Sequence, residues 1–488
     1  MMKGMLKQSL LSAAVVAVLT PSMANATNGY FKIGYGAKNT GMAGTGLAFA
    51  QDSLAPAVNP ASLTSVADRA DAGLELFMPK RRGEVDATGI GGARSNEQSR
   101  SNRFLIPSLG ISKKLSDRVT IGLSAVANGG LNTRYGNADT GNGNIFTDAF
   151  APAIGGFVPL AIGGLVQQGV PQDQATAIVN NNVAQLASNK NNTPALGVNL
   201  AQALLTPTIA FRINEHHAVG FSPVMALQTF RAYGLGLFQA FSSKPDKVTN
   251  NGNDQAFGRG GRIGYQATYG RVSFGAAATS TVYMEEFNDY AGLFAEQGDF
   301  DIPATFGGGI AVKVTPKFTV AADISRILYG DVNSLANEGP TADEFFAAFG
   351  NALANPNPKP GSFLNKGLGK NNGFGFGWDD TTVYKIGLNY EYNPKWTLRA
   401  GYNYAEVPYD DDQALFNVLA PAVVEHHATA GFTWSPSTAS EVTFSYMHAF
   451  NNDLDYTYKG TGNFAGFSYK ARNKMYQNAV QLSYGLKF

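Results

Sequence analysis

The tetrapeptide Glu-His-His-Ala occurs twice, at Glu215–Ala218 and at Glu425–Ala428, and raises the question of a metal site. Imidazole nitrogens and carboxylate oxygens are common zinc ligands. Both copies border stretches in which apolar and polar residues alternate, a pattern typical of β-strands, and adjacent strand residues point to opposite faces. Neighbouring histidines therefore cannot close readily on one ion. We predict no metal site and no cofactor.

A second pair of chemically capable residues is Ser445 and His448, a hydroxyl and a base on one late strand. Three residues apart, they face opposite sides of that strand, and the G-x-S-x-G pattern of serine hydrolases is absent. The chain contains no cysteine, which excludes disulfides, thiolate metal sites and cysteine nucleophiles. We predict that the protein is not an enzyme.

The segment TNGYFKIGYGAKNTGMAGTG (Thr27–Gly46) carries six glycines. It matches neither the dinucleotide pattern G-x-G-x-x-G nor the P-loop pattern, and no apolar strand leads into it. Aromatic and aliphatic residues such as Tyr30, Phe31 and Ile33 interleave with the glycines, which is unusual for a flexible linker. The pattern favours a compact segment whose glycines permit tight bends and close backbone contact.

The first 26 residues have the features of a secretory signal peptide. Lys3 and Lys7 precede an apolar run, and Ala24-Asn25-Ala26 forms a cleavage pattern of small residues. No later stretch is expected to reach the roughly 18 uncharged apolar residues of a membrane helix. Removing the signal leaves 35 basic and 36 acidic residues, so the charge balance does not predict nucleic-acid binding.

Strict alternation of apolar and polar residues predicts fourteen β-strands. Charged residues make up only 15% of the chain, against roughly 25% in soluble domains, while glycine and aromatic residues are abundant. Such a composition suits β-structure in contact with an apolar environment. The predicted strands cover 70–79, 103–115, 117–130, 198–214, 216–231, 257–269, 271–284, 301–315, 317–330, 379–393, 395–408, 425–435, 438–450 and 474–488.

Six tight turns alternate with seven long connections between these strands, which is typical of an outer-membrane barrel with both termini in the periplasm. An even strand number closes the sheet and leaves no unpaired edge in lipid. A large soluble sandwich or propeller is the alternative, but no repeat of propeller length is present. We predict an all-β fold, a 14-stranded antiparallel transmembrane β-barrel. Lys385 and Arg399 fall at inward positions and could meet a substrate carboxylate.

The segment TNGYFKIGYGAKNTGMAGTGLAFAQDSLAPAVNPASL (Thr27–Leu63) resembles the N-terminal hatch of the FadL family of outer-membrane transporters for long-chain fatty acids and aromatic hydrocarbons. Asn59, Pro60 and Ala61 match that family's NPA motif, and Asn288–Ser325 also resembles the family. After the signal peptide over 1–26, the resemblance implies a plug over 27–68 that lies in the lumen and closes the periplasmic end, and a 14-stranded barrel over 69–488.

Alternation fails at the end of the third predicted strand, in Ala127-Asn128-Gly129-Gly130. Paired glycines in strands mark bulges or bends, although these two could simply begin the next loop. In the FadL family an inward kink of the third strand opens the barrel wall. The resemblance therefore implies a lateral opening at Asn128, Gly129 and Gly130.

The long loops, above all 131–197 and 331–378, are expected to face the cell exterior. They carry helical apolar patches at Ala175–Leu186, Phe287–Phe294 and Thr341–Phe349, the last with a capping box of Thr341 and Glu344. Such patches serve either as a self-packed lid or as a surface that collects apolar molecules.

The sequence thus predicts a monomeric outer-membrane channel for passive uptake of hydrophobic small molecules, in contact with outer-membrane lipid and lipopolysaccharide. Long-chain fatty acids are the first expected substrate and aromatic hydrocarbons the alternative within the same family. A structural or adhesive barrel is the rival from another class, but such a protein needs no plug.

Overall fold

A computed structural model describes residues 27–136, 143–187, 195–355 and 364–488. The predicted signal peptide lies outside these residues. Fourteen antiparallel strands each pair with the next in sequence, and β14 pairs back with β1 from Arg69–Lys487 to Asp86–Lys470, which closes the barrel. The strands are β1 Arg69–Asp86, β2 Phe104–Lys114, β3 Val119–Gly129, β4 Gly197–Arg212, β5 His217–Tyr233, β6 Asp254–Tyr269, β7 Val272–Thr279, β8 Thr305–Thr315, β9 Phe318–Ile327, β10 Thr381–Asn393, β11 Trp396–Ala405, β12 His426–Trp434, β13 Ser440–Lys459 and β14 Ser468–Lys487.

The predicted 14-stranded barrel is confirmed, and its wall follows the alternation of the sequence. On β14, Gln481 is 1% exposed whereas its neighbour Leu482 is 56% exposed. Apolar side chains therefore point out and polar ones point in. Two short accessory strands lengthen the sheet: Arg94–Gln98 pairs with the end of β1, and Tyr283–Met284 pairs with β6.

Several strand bounds differ from the sequence prediction. β1 and β13 extend to Asp86 and Lys459, and β14 begins as early as Ser468. Beyond the apolar band the alternation reverses: charged residues such as Arg472 face outward, whereas Tyr458, Tyr469 and Ala471 are buried on the inner face, and the hydrogen-bond ladder continues. The seventh strand is shorter than predicted and ends at Thr279.

The helices lie in the plug and the loops. The α-helices are α1 Ala37–Thr40, α2 Ile145–Phe150, α3 Ile154–Gln167, α4 Gln172–Ala187, α5 Asn333–Ala336 and α6 Ala342–Ala354. The 3₁₀ turns are Ala55–Ala57, Pro60–Ser65, Thr88–Ile90, Ala151–Ala153, Gly236–Phe241, Pro245–Lys247, Asn288–Tyr290, Ala295–Gln297, Tyr329–Asp331, Asp411–Gln413, Phe416–Val418 and Gly462–Phe464. The predicted helices at Ala175–Leu186 and Thr341–Phe349 are confirmed, the latter with both bonds of its capping box. The patch at Phe287–Phe294 forms only a single 3₁₀ turn.

One expectation about hydropathy was wrong. The continuous helical segment Ile145–Gln167 has 23 residues and a mean hydropathy of 1.8, so by length and composition alone it could cross a membrane. It belongs to the loop between β3 and β4. There the ring of Phe157 packs against Phe346 and Phe349, with centroids 5.6 and 5.4 Å away. One face of the segment thus packs on other loops, whereas Leu160 and Val166 are exposed.

Candidate functional site

The plug is held through the side chain of Asn59, which is fully buried. Its Oδ1 accepts the backbone N–H of Ala61 at 3.0 Å and so caps the 3₁₀ turn Pro60–Ser65. Its Nδ2 donates to the carbonyls of Leu47, at 2.7 Å, and Tyr265, at 3.0 Å. Asn59 therefore ties together two parts of the plug and strand β6, as few side chains other than a short amide could.

The motif Asn59-Pro60-Ala61 packs against two glycines of the barrel wall, where no side chain separates it from the strand backbone. Gly220 of β5 and Gly264 of β6 lie directly opposite each other in register. A β-carbon at Gly264 would lie 2.0 Å from Oδ1 of Asn59, and one at Gly220 would lie 2.4 Å from the backbone nitrogen of Ala61. Only glycine fits at these two positions while the motif stays in place.

A second glycine pair faces the glycine-rich run. Gly387 of β10 and Gly401 of β11 also lie opposite each other. Added β-carbons there would fall 2.3 Å from Oγ1 of Thr45 and 2.5 Å from the carbonyl carbon of Met42. The glycines of the run and of the wall thus let two backbones approach closely. We missed these wall positions in the sequence, although inward glycines in otherwise regular strands were a usable signal.

Buried charges fasten the plug at the end of the barrel where β1 begins. Lys38 of the plug and Arg69 of β1 both bind the carboxylate of Glu441 on β13. Arg69 also donates from Nε to Asp71 at 2.8 Å, and the N–H of Ser53 donates to Asp71 at 3.0 Å. Displacing the plug would leave a buried charge without its partner, which is costly, so this network resists displacement of the plug.

Asp52 adds a titrating group to this network. Burial, and secondly the Asp71 carboxylate, raise the pKa of Asp52 from 3.8 to about 6. Because the pKa is raised, ionisation of Asp52 destabilises the folded plug relative to the unfolded segment. The stability that protonated Asp52 gives the plug is fully present below its ordinary pKa of 3.8 and is lost as the pH rises through about 6. Burial lowers the pKa of Lys38 only to about 8, so Lys38 stays protonated between pH 5 and pH 7.

We therefore expect the plug to be held more firmly at pH 5 than at pH 7. Backbone hydrogen exchange in residues 37–66, corrected for intrinsic rates, is the measurement. Asp52→Asn should remove the difference between the two pH values. Asp68→Asn is the matched control and should keep it, because the hydrogen bond from Lys113 lowers the pKa of the exposed Asp68 below this window. Equal exchange at both pH values in the unmodified protein would contradict the prediction.

The barrel wall is interrupted between β2 and β3. Their ladder spans only Leu109–Lys114 and Thr120–Ala125. Above it, β2 continues to pair with β1, while β3 continues to pair with β4 through a bulge between Ala127 and Gly129. Residues 126–130 are all buried, so β3 loses its outward face and bends into the lumen. Asn128, Gly129 and Gly130, named from the sequence, form this bent end.

The plug binds the bent end of β3 directly. The N–H of Lys32 donates to the carbonyl of Asn128 at 3.0 Å, and the N–H of Gly130 donates to the carbonyl of Tyr30 at 3.2 Å. The Tyr35 hydroxyl donates to Oδ1 of Asn128, also at 3.0 Å. A β-carbon at Gly129 would lie 2.0 Å from the Tyr30 oxygen. The interruption in the wall is therefore covered from inside by the plug.

Amide side chains continue from this contact along the wall. Asn128 donates to Gln202 at 3.0 Å, and Gln202 donates to Gln228 at 3.0 Å. Gln228 in turn donates to the carbonyl of Phe300, in the loop after β7, at 2.7 Å. Each of the three amides is buried and satisfied on at least one side, which fixes the position of the bent strand.

A cavity of about 200 Å³, here called the loop cavity, lies among the long loops. Its charged lining residues are Glu338, Asp343 and Asp412, and the described part of the chain contributes no lysine or arginine to the lining. Aromatic rings form most of the rest: Phe146, Phe150, Phe157, Phe238, Phe241, Phe345, Phe346, Phe349, Phe416, Tyr456, Tyr458 and Tyr469.

A second cavity of about 100 Å³, the lumen cavity, lies between the plug and the wall, and its charged lining residues are Lys32, Arg262, Asp323 and Lys385. Opposite Lys385 on β9, Asp323 accepts backbone N–H groups of Gly46 and Leu47 from the plug. Arg399 lines neither cavity. It donates to Gln51 of the plug at 2.6 Å and to Thr433 at 2.7 Å, and it is 8% exposed.

The other chemically capable residues lie apart. Ser445 is buried in the wall, whereas His448 contacts Asn478 on the outer surface. His427 points inward and is fully buried, while its neighbour His426 stacks on outward tyrosines. Within the described ranges, no group of three or more histidine, cysteine or acidic residues could hold a metal ion.

Comparison with known proteins supports the resemblance seen in the sequence. Residues 270–486 match the family model described as outer membrane protein transport protein (OMPP1/FadL/TodX). No curated protein sequence matches the chain significantly.

Solved structures share the fold at low identity. The P. putida toluene transporter TodX is 17% identical with a TM-score of 0.58, over 93% of this chain and 99% of TodX. A Pseudomonas aeruginosa FadL homologue is 13% identical with a TM-score of 0.59, over 94% and 100%. The Ralstonia pickettii toluene transporter TbuX is 17% identical with a TM-score of 0.53, over 93% and 99%. Residues 270–486 are thus similar to the OMPP1/FadL/TodX family of outer-membrane transport proteins, and the plugged fourteen-stranded barrel has the fold of the toluene transporters and the FadL homologue.

Proposed function

We propose that the protein is a passive channel that takes hydrophobic small molecules from the loop cavity to the lumen and releases them sideways into the bilayer between β2 and β3. The interrupted ladder above Leu109 and Ala125 carries this proposal. In hydrocarbon, unpaired backbone is tolerated only beside protein or a cavity, and here the plug supplies that cover. Movement of residues 30–35 would uncover an apolar path into lipid.

The proposed orientation places both termini in the periplasm and the long loops outside the cell, because outer-membrane barrels carry short turns on the periplasmic side. The chain is proposed to act as a monomer. The plug over residues 27–68 then closes the periplasmic end, and Asn59, Pro60 and Ala61 hold it there.

The charge of the loops favours an uncharged substrate. Acidic residues number six in 285–304, four in 331–355 and five in 406–425, and none of these segments contains lysine or arginine. Lysines of other loop segments offset part of this charge, as Lys247 does for Asp289, but the charged lining residues described for the loop cavity are all acidic. A site of one charge sign repels solutes of the same sign and slows their association. Fatty acid carboxylates would be repelled there. Toluene, named as the substrate of TodX and TbuX, is uncharged and would not be repelled.

Long-chain fatty acids are the second candidate, and Lys385 is the observation in their favour. It lines the lumen cavity, among apolar side chains that could hold an acyl chain, and could pair with a carboxylate. Arg399, the other cation named from the sequence, is already bound to the plug.

Uptake of radiolabelled toluene, 1-dodecanol and dodecanoate by a deletion strain, with and without this chain, separates the candidates. We expect uptake of the two uncharged compounds to exceed dodecanoate uptake at least about ten-fold. Dodecanol and dodecanoate share one chain length, so their difference reports the charge. Lys385→Met should leave toluene uptake unchanged, as should the control Lys317→Met in a short turn. Dodecanoate uptake that equals dodecanol uptake and is lost in Lys385→Met would establish the fatty acid candidate instead.

A further inference from the structure

The outer surface of the barrel changes from apolar to cationic at the seam between β1 and β14. On β1 the outward side chains Leu74, Leu76 and Met78 are followed by Lys80 and Arg82. On β14 the outward residues Leu482 to Tyr476 are followed by Lys474. Outward positions on one strand are about 6.7 Å apart, so these cations lie one or two steps beyond the aromatic edge of the apolar band.

The cations lie side by side. Arg82 and Lys474 are directly opposite in the register of β1 and β14, and both are exposed. Exposed Arg103 precedes Phe104, which pairs with Phe77 on the other side of β1. Like charges directly opposite each other in a sheet are destabilising unless an anion lies between them.

The acidic residues nearest this group are bound to other residues. Asp453 lies opposite Lys474 in the register of β13 and β14 but pairs with Arg472. Glu84 binds Arg94, and Asp86 accepts hydrogen bonds from Thr88. Arg472 forms salt bridges with both Asp453 and Asp455. Across the residues that the structure describes, Lys80, Arg82, Arg103 and Lys474 make no salt bridge.

We propose that Lys80, Arg82, Arg103 and Lys474, the cation patch, bind the phosphates of a lipid A headgroup of lipopolysaccharide. The phosphates of a membrane lipid lie just beyond its hydrocarbon, which is the height of the patch on the barrel. Guanidinium groups bind phosphate through two parallel hydrogen bonds, and lysines add point charges. Four cations spread over three neighbouring strands match a headgroup with two phosphates better than a phospholipid with one. The inference rests on the proposed orientation, in which the long loops face the outer leaflet.

The test measures lipid A bound to the full-length protein in lipid nanodiscs, by mass spectrometry of the retained lipid. Arg82→Gln with Lys474→Gln should lower lipid A affinity about ten-fold, as loss of two charge-assisted contacts implies. The control, Lys317→Gln with Lys395→Gln, removes two exposed charges from the short turns at the opposite rim and should bind lipid A normally. Lipid A stripped of both phosphates should bind the unmodified protein at least about ten-fold more weakly than intact lipid A does.

Unchanged binding in the patch variant, or an equal loss in the control, would overturn the proposal. Phosphatidylglycerol that binds as tightly as lipid A would also overturn it, because the patch would then recognise any anionic lipid. Heat-modifiable migration on SDS gels, in which unheated and boiled samples run differently, checks that each variant still forms the barrel. The measurement does not involve transport, so failure of the proposed channel function would appear only in the uptake assay.

Discussion

Gly264→Leu is expected to convert the plugged barrel into an open pore. A β-carbon at this position would lie 2.0 Å from Oδ1 of Asn59 and 2.8 Å from Cδ of Pro60, so the plug cannot stay seated. Since a wide barrel without its plug leaves an aqueous channel, single-channel conductance in planar bilayers should rise at least about ten-fold.

Gly261→Leu is the matched control on the same strand. Gly261 faces outward, and its nearest neighbour for an added β-carbon is the ring of Phe221 at 3.6 Å. This variant should stay closed. Deletion of Asn59, Pro60 and Ala61 should open the barrel as Gly264→Leu does, with the barrel still assembled and resistant to SDS at room temperature. If Gly264→Leu shows no increase in conductance and hydrogen exchange in the plug is unchanged, the contact described between the NPA motif and Gly264 is wrong.

Gly129→Trp is expected to lower substrate uptake at least about ten-fold. The side chain would collide with the Tyr30 carbonyl and fill the space where β3 leaves β2, blocking the lateral route as overpacking does elsewhere. Barrel assembly should be preserved, because the pairing of β3 with β4 below Ala127 is untouched. Whole-cell uptake of labelled substrate is the measurement, with surface expression checked separately.

Gly308→Trp on β8 serves as its control. An added β-carbon there meets only a backbone oxygen at 3.8 Å, and the position lies between the outward side chains of Phe306 and Ile310. The control should transport normally. If Gly129→Trp also transports normally, the lateral route is wrong and passage through the plug becomes the better description.

Strand number and turn positions could be predicted because both are local properties of the sequence. A strand in lipid must alternate, as in Val480–Lys487, and a tight turn interrupts that alternation within a few residues. Strand length beyond the membrane could not be predicted, because the alternation of β13 and β14 reverses there: charged residues such as Arg472 face outward, and Tyr458 and Tyr469 face inward, where the loops cover them.

The contacts of the candidate site depend on residues far apart in sequence. Gly129 was recognised because paired glycines mark a bend locally. The pairing of Gly220 with Gly264 depends on the register of two strands, and the meeting of Lys38 with Glu441 joins residues 403 positions apart. The inward direction of Arg399 follows from the alternation of β11, whereas its hydrogen bond to Gln51 depends on where the plug lies in the barrel.

The glycine pairs of the wall also constrain the folding order. Every seat of the plug lies on strands that follow it in the chain, and Asn59 meets Tyr265 across 206 residues. Closing such large loops is entropically costly and slow. Apart from the closing pair of β1 and β14, the hydrogen bonds of neighbouring strands join residues closer in sequence. We therefore expect the plug to dock after the strands that it contacts have paired.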